Sequence, residues 1–370
     1  MGVRPAPPHP GVARERRWIV SVLLGDARVA LGGAGFSLRD DRDDGSSVAT
    51  IRAGLDAGIR SFDTARAYAP VGDPVHNERL FARALGPSIL DVTTATKGGH
   101  YRRDHDHWGT DNSPERLRRD VLDSLGALGV DRLDLFYLHR ADDETVPTRE
   151  SMEALAEMRS EGLTAAIGIS NASIDQLERL TSHVSIDAVQ NQYDLAHPDS
   201  PVLAWCEANG ARFVAYSPLG GASNAHRLAS LFPALASRAE LRGISVQRLV
   251  LRAVLATSPA MDVVVGAGRP KTAVEAASVL DEPWTADDAS AVDADVHECV
   301  RSLAGLRGTN GSATVARTCT RARRSEQSPE TLAATGSSPV EGASTSAGRA
   351  PSRGRLRVSV PDQRDILISL

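Results

Sequence analysis

The chain has 370 residues, of which 41% are hydrophobic, 24% charged and only 4% aromatic, and its formal net charge is −5. It contains no run of about eighteen apolar residues, which excludes a membrane-spanning helix, and the absence of a charged-then-apolar leader predicts that it is not secreted. Three widely spaced cysteines fit neither a disulfide framework nor a zinc site, so we expect a cytoplasmic protein.

In chain order, residues 1–17 come first; they are rich in Pro and Arg and predict a flexible N-terminal arm. Residues 18–300 alternate short apolar runs with amphipathic stretches, and eight of the runs have the composition of buried strands. The predicted strands are Val29–Gly32, Arg60–Phe62, Val92–Thr96, Leu133–Leu138, Ala165–Ile169, Ala188–Val189, Arg212–Ala215 and Asp262–Val265.

Helical patterns lie between these strands. Ser113 and Pro114 predict a helix start, with a capping hydroxyl followed by a first-turn proline. The segments 173–176 and 272–275 both match the capping box, so we expect helices capped by Ser173 and by Thr272.

The spacing of the strands predicts a (β/α)8 barrel, since about twenty or more residues separate successive strands and leave room for one crossover helix. A doubly wound parallel sheet is the alternative. Its phosphate-binding loop would be residues 33–38, but Leu38 stands where that motif has its third glycine, so the match is partial.

Residues 301–370 form the last segment, with eleven Arg against five Asp and Glu and few large apolar residues. Such a segment buries too little apolar surface to offset its ordering entropy, which predicts a disordered basic tail. Its net charge of +6 leaves −11 on the preceding 300 residues. Because most basic tails are simply solvated, we expect no nucleic-acid partner.

Polar side chains end three neighbouring strands of the predicted barrel. Asp63 follows strand two, Lys97 ends strand three, and His139 follows strand four. The C-terminal ends of barrel strands meet at one rim, where barrel enzymes carry their active sites. We therefore expect these three residues to lie together with Tyr68, five residues beyond Asp63.

The four residues suit acid catalysis. A phenol is normally too weak an acid to donate a proton at neutral pH, but a neighbouring ammonium stabilises the phenolate, so we expect Lys97 to lower the pKa of Tyr68. Asp63 would hold and orient Lys97, which is one of only two lysines among 42 basic residues. A compact ammonium fits beside a phenol oxygen better than a planar guanidinium does. His139 would hydrogen-bond a substrate carbonyl.

Five short motifs follow one another along residues 20–297. They are Asp63-Thr64-Ala65-Arg66-Ala67-Tyr68, Lys97 after a strand, Leu138-His139-Arg140, Gly168-Ile169-Ser170-Asn171 and Tyr216-Ser217-Pro218-Leu219-Gly220. This set resembles the aldo-keto reductase superfamily. The resemblance implies a barrel that reduces aldehydes and ketones with NADPH, using Asp63, Tyr68, Lys97 and His139 as its catalytic tetrad and Tyr68 as general acid.

The resemblance also implies where the nicotinamide would bind. Ser170, Asn171 and Gln192 correspond to residues that contact the carboxamide, and Tyr216 corresponds to the aromatic residue that stacks on the nicotinamide ring.

The phosphates would bind farther along the rim. The residues that correspond to the pyrophosphate loop are Ser217, Leu219 and Gly220. The segment from Gly266 to Lys271 would precede the helix capped by Thr272, and Arg269 and Lys271 would meet the 2′-phosphate, because a helix start with cationic side chains binds anions. This predicts NADPH (NADP+) over NADH as the cofactor.

Two rival functions remain open. One is a cofactor-binding sensor or regulatory subunit of the same fold with little turnover. The other is a metal-dependent hydrolase barrel, which needs a ligand cluster such as His-x-His at strand one, and residues 29–35 offer none. For the reductase we expect a small-molecule carbonyl substrate, no bound metal, no membrane contact, and a monomer or small homo-oligomer.

Overall fold

The computed structural model describes residues 27–306 except Asp40, Asp106 and Asp199. The predicted arm at residues 1–17 and most of the predicted tail lie outside the described residues. Among the described residues, no helix is both long enough and apolar enough to cross a membrane.

Eight parallel strands close into a barrel, which confirms the predicted (β/α)8 fold and excludes the open doubly wound sheet. The first strand pairs with both the second and the last, so the sheet has no free edge. The barrel strands are β1 (Val29–Gly32), β2 (Ser61–Asp63), β3 (Thr93–Gly98), β6 (Leu133–Leu138), β7 (Thr164–Ser170), β8 (Ala188–Gln192), β9 (Arg212–Tyr216) and β10 (Met261–Gly266).

A small antiparallel hairpin, β4 (His100–Arg102) and β5 (Trp108–Thr110), follows the third barrel strand and was not predicted. Its strands are three residues each and carry mostly polar and aromatic side chains, so they lack the apolar alternation that identifies a half-buried strand.

Helices cover the outside of the barrel. They are α1 (Ala34–Ser37), α2 (Asp44–Asp56), α3 (His76–Leu85), α4 (Pro114–Leu128), α5 (Thr148–Ser160), α6 (Ile174–Leu180), α7 (Pro201–Asn209), α8 (Ala222–Ala225), α9 (Leu228–Leu231), α10 (Pro233–Arg242), α11 (Val246–Ala256), α12 (Pro270–Ala277) and α13 (Ala286–Leu306), with a 3₁₀ turn at Gly86–Asp91. Helix α13 runs past residue 300 to Leu306, so it crosses the predicted start of the tail at residue 301.

Helix caps account for several of these boundaries. The Ser113 side chain accepts from the Arg116 N–H, and Ser173 and Gln176 form a reciprocal capping box, as predicted. The predicted cap at Thr272 is wrong, because α12 already begins at Pro270 after an extended Arg269. Proline favours the first position of a helix, since its φ is preset and its missing N–H is not needed there.

The apolar core has two parts. A large cluster fills the space between the barrel strands and the surrounding helices, and a small one closes the floor of the barrel lumen. The lumen cluster consists of Ala95, Leu135, Tyr137, Ala166, Ala188 and Val214. Polar side chains such as Asp63, Lys97 and Gln190 lie one layer above it, toward the C-terminal ends of the strands, because alternate residues of a strand point into the lumen.

Candidate active site

A solvent-connected cavity opens at the C-terminal rim of the barrel. Three of the predicted tetrad line it, namely Asp63, Tyr68 and His139, and Lys97 lies just behind its wall. The structure therefore brings the four predicted catalytic side chains together.

Lys97 is fully buried, and its ammonium group has three polar neighbours. It donates to Asp63 Oδ1 and to the Thr64 carbonyl, the latter at 3.0 Å. Its nitrogen lies 3.2 Å from the Tyr68 hydroxyl oxygen. All three protons of the ammonium are thus directed at an oxygen, which fixes its position.

The loop that carries Tyr68 is fastened to the neighbouring strand by its backbone. The Thr64 N–H donates to the Ala95 carbonyl at 2.8 Å, and the Arg66 N–H donates to the Lys97 carbonyl at 3.1 Å. Strand β3 therefore positions both Lys97 and the turn that leads to Tyr68.

His139 follows directly after β6, where its backbone N–H donates to the Gly98 carbonyl at 3.1 Å. Its ring meets the Tyr68 ring edge-on, with centroids 5.6 Å apart. Nδ1 of His139 is buried and has no hydrogen-bond partner among the described residues. His139 also lines the cavity, so its ring lies beside Tyr68 where a substrate oxygen would approach, although Nδ1 itself is enclosed by the protein.

The protonation states follow from burial and from neighbouring charges. Burial raises the pKa of Tyr68 above its ordinary value; Lys97 opposes this and Asp63 adds to it. The prediction that Lys97 leaves Tyr68 with a lowered pKa is therefore wrong for the net shift, because desolvation of the phenolate outweighs the ammonium.

Burial also acts on the two neighbouring bases. It lowers the pKa of Lys97, but Asp63 and Tyr68 raise it by more, so the ammonium stays charged. Burial lowers the pKa of His139 well below its ordinary value, and electrostatic repulsion by His100, Lys97 and Arg140 adds to this. His139 is therefore a neutral imidazole around pH 7.

Next to the tetrad lie Ser170, Asn171, Tyr216 and Ser217, which all line the cavity. The Tyr216 hydroxyl donates to Asn171 Oδ1 at 2.8 Å, and Asn171 Nδ2 donates to the His139 carbonyl at 3.0 Å. Asn171 and Ser217 have φ values of +60° and +52°, the only positive φ values among the described non-glycine residues. Left-handed backbone at such residues is uncommon and concentrates at functional sites.

Gln192, which was predicted to contact the nicotinamide carboxamide, lies outside the cavity. Its side chain is exposed at the rim and does not line the cavity, whereas Gln190 is buried and does. Gln190 Nε2 donates to Asp63 Oδ2 at 2.7 Å. The two-residue period of β8 places Ala188, Gln190 and Gln192 on the same face of the strand, so the alternation alone did not distinguish the two glutamines; Gln192 is the last residue of the strand and is exposed at the rim.

The predicted phosphate contacts lie at the far side of the same rim. Leu219 and Gly266 line the cavity, whereas Gly220 adjoins it and has a φ of +74°. Arg269 and Lys271 lie beyond the cavity, exposed at the start of α12. Because α12 begins at Pro270, Lys271 belongs to its first turn and does not precede the helix.

Two residues of the hairpin and two of the segment after β1 form further parts of the cavity wall. His100 and Trp108 of the hairpin both line the cavity and stack on each other with ring centroids 5.1 Å apart. Burial is the main cause that lowers the pKa of His100 to about 4. Gly33 and Leu38, from the rejected phosphate-loop motif, also line the cavity.

Arg66 belongs to the loop that carries Tyr68, and its side chain is buried. It donates to Asp123 at 2.8 Å, and its guanidinium lies 3.5 Å from Asp120 and 3.9 Å from Glu78. Burial raises the pKa of Glu78 to about 7, although hydrogen bonds from Ser124 and Thr96 lower it. Arg66 is thus paired with a cluster of three carboxylates and is not available to a substrate anion.

The described residues contain no group of three or more His, Cys, Asp or Glu side chains placed to hold a metal ion. The hydrolase alternative therefore finds no ligand set in this part of the chain.

Comparison with known proteins gives the family. The model of the Aldo/keto reductase family matches residues 28–296. The chain is 33% identical over 204 residues to pyridoxine 4-dehydrogenase of Escherichia coli, an alignment that covers 54% of this chain and 70% of that protein. It is 32% identical over 181 residues to an oxidoreductase of Schizosaccharomyces pombe, covering 49% of this chain and 57% of the relative.

A solved structure resembles the fold over most of its length. The crystal structure of an aldo/keto reductase from Klebsiella pneumoniae in complex with NADP and acetate superposes with a TM-score of 0.61 at 25% identity. The superposition covers 72% of this chain and 90% of that one.

Proposed function

The chain belongs to the aldo/keto reductase family, and from that premise we propose that it is an NADP-dependent oxidoreductase that reduces an aldehyde or ketone to the alcohol, reversibly. The observation that carries the proposal is the cluster of Asp63, Tyr68, Lys97 and His139 at the cavity wall. We assign the catalytic domain to the barrel, at residues 18–300.

Tyr68 is the proton donor. Its raised pKa keeps the phenol protonated at neutral pH, so the acid form is the resting form. As negative charge develops on the carbonyl oxygen, the nearby ammonium of Lys97 stabilises the phenolate that the proton leaves behind. The same pair takes the proton back in the reverse direction, since general acid and base exchange roles.

Asp63 positions Lys97, and His139 positions the substrate carbonyl. The Asp63 carboxylate accepts from Lys97 on one oxygen, which keeps the ammonium beside Tyr68 and balances its buried charge. His139 is neutral, so its ring offers a hydrogen bond to the carbonyl oxygen without adding a full charge. Carbonyl oxygen and phenol are thereby brought into contact before proton transfer.

The donor set of the rim fits a nicotinamide dinucleotide. Ser170, Asn171 and Gln190 present hydroxyl and amide groups beside the tetrad, and the ring of Tyr216 offers a stacking surface. When bound, NADPH supplies a hydride from C4 of its nicotinamide to the carbonyl carbon. Gln190 replaces Gln192 in this assignment, because only Gln190 lines the cavity.

The phosphates are assigned to the other side of the rim. The residues that would hold the pyrophosphate are Ser217, Leu219 and Gly220, with Gly266 at the end of the adjacent strand β10. Arg269 and Lys271 would bind the 2′-phosphate at the start of α12, where the helix dipole favours an anion. This is the reason to expect NADPH over NADH.

Isotope transfer tests the proposal. NADPH carrying deuterium at both C4 positions would be supplied with a panel of aldehydes, ketones and pyridoxal-like compounds, and the alcohols analysed by mass spectrometry. We expect one deuterium on the carbinol carbon of at least one product. Tight NADPH binding by fluorescence together with no alcohol from any member of the panel would contradict the proposal and favour the sensor function.

A further inference from the structure

The lumen of the barrel holds a buried tyrosine below the proposed catalytic residues. Tyr137, on β6, is 1% exposed and does not line the cavity. Its ring lies against Gly168 of β7, where a Cβ atom would come within 2.3 Å of two ring carbons. A glycine at 168 is therefore required for this ring to occupy the lumen.

The hydroxyl group of Tyr137 has a polar partner. It shares a hydrogen bond with the side chain of Gln190, and burial raises the pKa of Tyr137 well above its ordinary value, so the phenol stays protonated. The floor around the ring consists of small or aliphatic side chains, including Leu135 and Val214. In such surroundings a hydroxyl must be hydrogen-bonded to be tolerated, so Gln190 and Tyr137 constrain each other.

Gln190 connects this tyrosine to Asp63. Its amide donates to Asp63 Oδ2 at 2.7 Å, while Lys97 donates to Asp63 Oδ1. Strands β8 and β2, which carry Gln190 and Asp63, lie opposite each other in the closed strand order. The hydrogen bond therefore crosses the lumen and fixes the carboxylate from the side away from Lys97.

We propose that Tyr137 and Gln190 form a buried positioning pair that holds the Asp63 carboxylate in the orientation that places Lys97 beside Tyr68. This inference rests on the proposed function, because the orientation matters through proton donation by Tyr68. Tyr137 touches neither substrate nor cofactor site, so it is a positioning residue. Gln190 has this role in addition to its place on the cavity wall.

The test uses Tyr137→Phe, which removes the hydroxyl and keeps the ring. The matched control is Tyr193→Phe, since Tyr193 is also buried at 2% exposure but packs against Phe213 in the large core cluster and not in the lumen cluster. We expect Tyr137→Phe to lower kcat about tenfold, because the loss of one buried hydrogen bond loosens Gln190 and, through it, Asp63. The control should keep kcat within about twofold.

A second readout needs no turnover. The chain has five tyrosines, so a protein labelled with ¹³C at the tyrosine Cζ atoms gives a small set of signals, and Tyr68→Phe identifies that of Tyr68. We expect Tyr137→Phe to shift the titration of Tyr68 upward, since a less well-held Asp63 carboxylate offsets more of the Lys97 charge. Gln190→Met, which is similar in size and lacks the amide, should shift it in the same direction and further.

The two proposals fail differently. If the wild-type protein reduces no carbonyl compound, the proposed function fails, and the Tyr68 titration still decides the positioning pair. If Tyr137→Phe and Gln190→Met both titrate like the control, and Tyr137→Phe retains the kcat of the control, the positioning pair is wrong. A lower unfolding temperature for Tyr137→Phe with neither change would assign the hydrogen bond to stability alone and overturn the inference.

Discussion

The ammonium nitrogen of Lys97 lies 3.2 Å from the hydroxyl oxygen of Tyr68, inside a wall that leaves Lys97 without solvent exposure. A charge–phenol contact of this kind is weak in water but strong where water is excluded. Burial of the phenol nevertheless outweighs the ammonium, so the pKa of Tyr68 ends above its ordinary value. Tyr68 is therefore protonated at neutral pH, and Lys97 stabilises the Tyr68 phenolate once the proton has left.

The pH profile of reduction follows from these shifts. The pKa of Tyr68 is raised from 10.0 and that of His139 is lowered well below 6.5, so neither group changes protonation between these values. We expect kcat/KM for carbonyl reduction to stay level from pH 6.5 to about 9 and to fall only when Tyr68 loses its proton at higher pH. A clear inflection near pH 7, measured with a substrate that does not ionise, would contradict the assignment of both groups.

Removal of the Lys97 charge should affect stability and catalysis separately. Lys97→Met leaves the Asp63 carboxylate buried without its cation, and breaking a buried pair in this way costs about 3–5 kcal/mol. We expect a loss of that order in the free energy of unfolding, measured with urea, together with a large loss of kcat.

The double variant Lys97→Met with Asp63→Asn separates the two effects. It removes the orphaned charge, so most of the lost stability should return while kcat stays low. Recovery of kcat along with stability would show that Lys97 acts only by supporting the fold.

Cofactor choice should depend on Arg269. If Arg269 binds the 2′-phosphate as proposed, Arg269→Ala is expected to raise the KM for NADPH about tenfold and to leave the KM for NADH unchanged, because only NADPH has a 2′-phosphate. Steady-state kinetics with both cofactors measure this, and NADH is the internal control. An equal rise in both KM values would place Arg269 outside the 2′-phosphate site.

Buried Glu78 should give a distinctive pH dependence of stability. Its pKa is raised from 4.5 to about 7 in the folded chain, so the folded state keeps a proton that the unfolded state has lost between these values. The contribution of protonated Glu78 to the free energy of unfolding is therefore fully present below pH 4.5. It is lost as the pH rises through 7, a decrease of about 3 kcal/mol at most. Glu78→Gln carries no titrating proton, so its unfolding free energy should lack this decrease relative to wild type. Identical pH dependence in the two proteins would mean that Arg66 keeps Glu78 ionised throughout.

Local sequence was sufficient for the barrel and for the tetrad. Each strand is a short apolar run, and the polar residue that ends it is adjacent in sequence, so Asp63, Lys97 and His139 could be placed on one rim without knowledge of the tertiary contacts. Tyr68 followed because the turn after Asp63 is short.

The remaining features depend on tertiary contacts. Whether Gln190 or Gln192 faces the cavity depends on how β8 is registered against β7, where Gly168 pairs with Ala188. The direction of the Tyr68 pKa shift depends on a balance between burial and Lys97 that no motif encodes. The place of Tyr137 in the lumen likewise depends on the absence of a side chain at Gly168 on the next strand.

The central claim is that Tyr68 donates the proton in carbonyl reduction. Its most direct test compares wild type with Tyr68→Phe by the loss of NADPH absorbance at ~340 nm with the best aldehyde of the panel, while fluorescence measures NADPH binding in both proteins. We expect a fall in kcat of about 10²–10⁴-fold with the Kd for NADPH within about twofold of wild type, because only the acid is removed. Unchanged NADPH oxidation by Tyr68→Phe would contradict it.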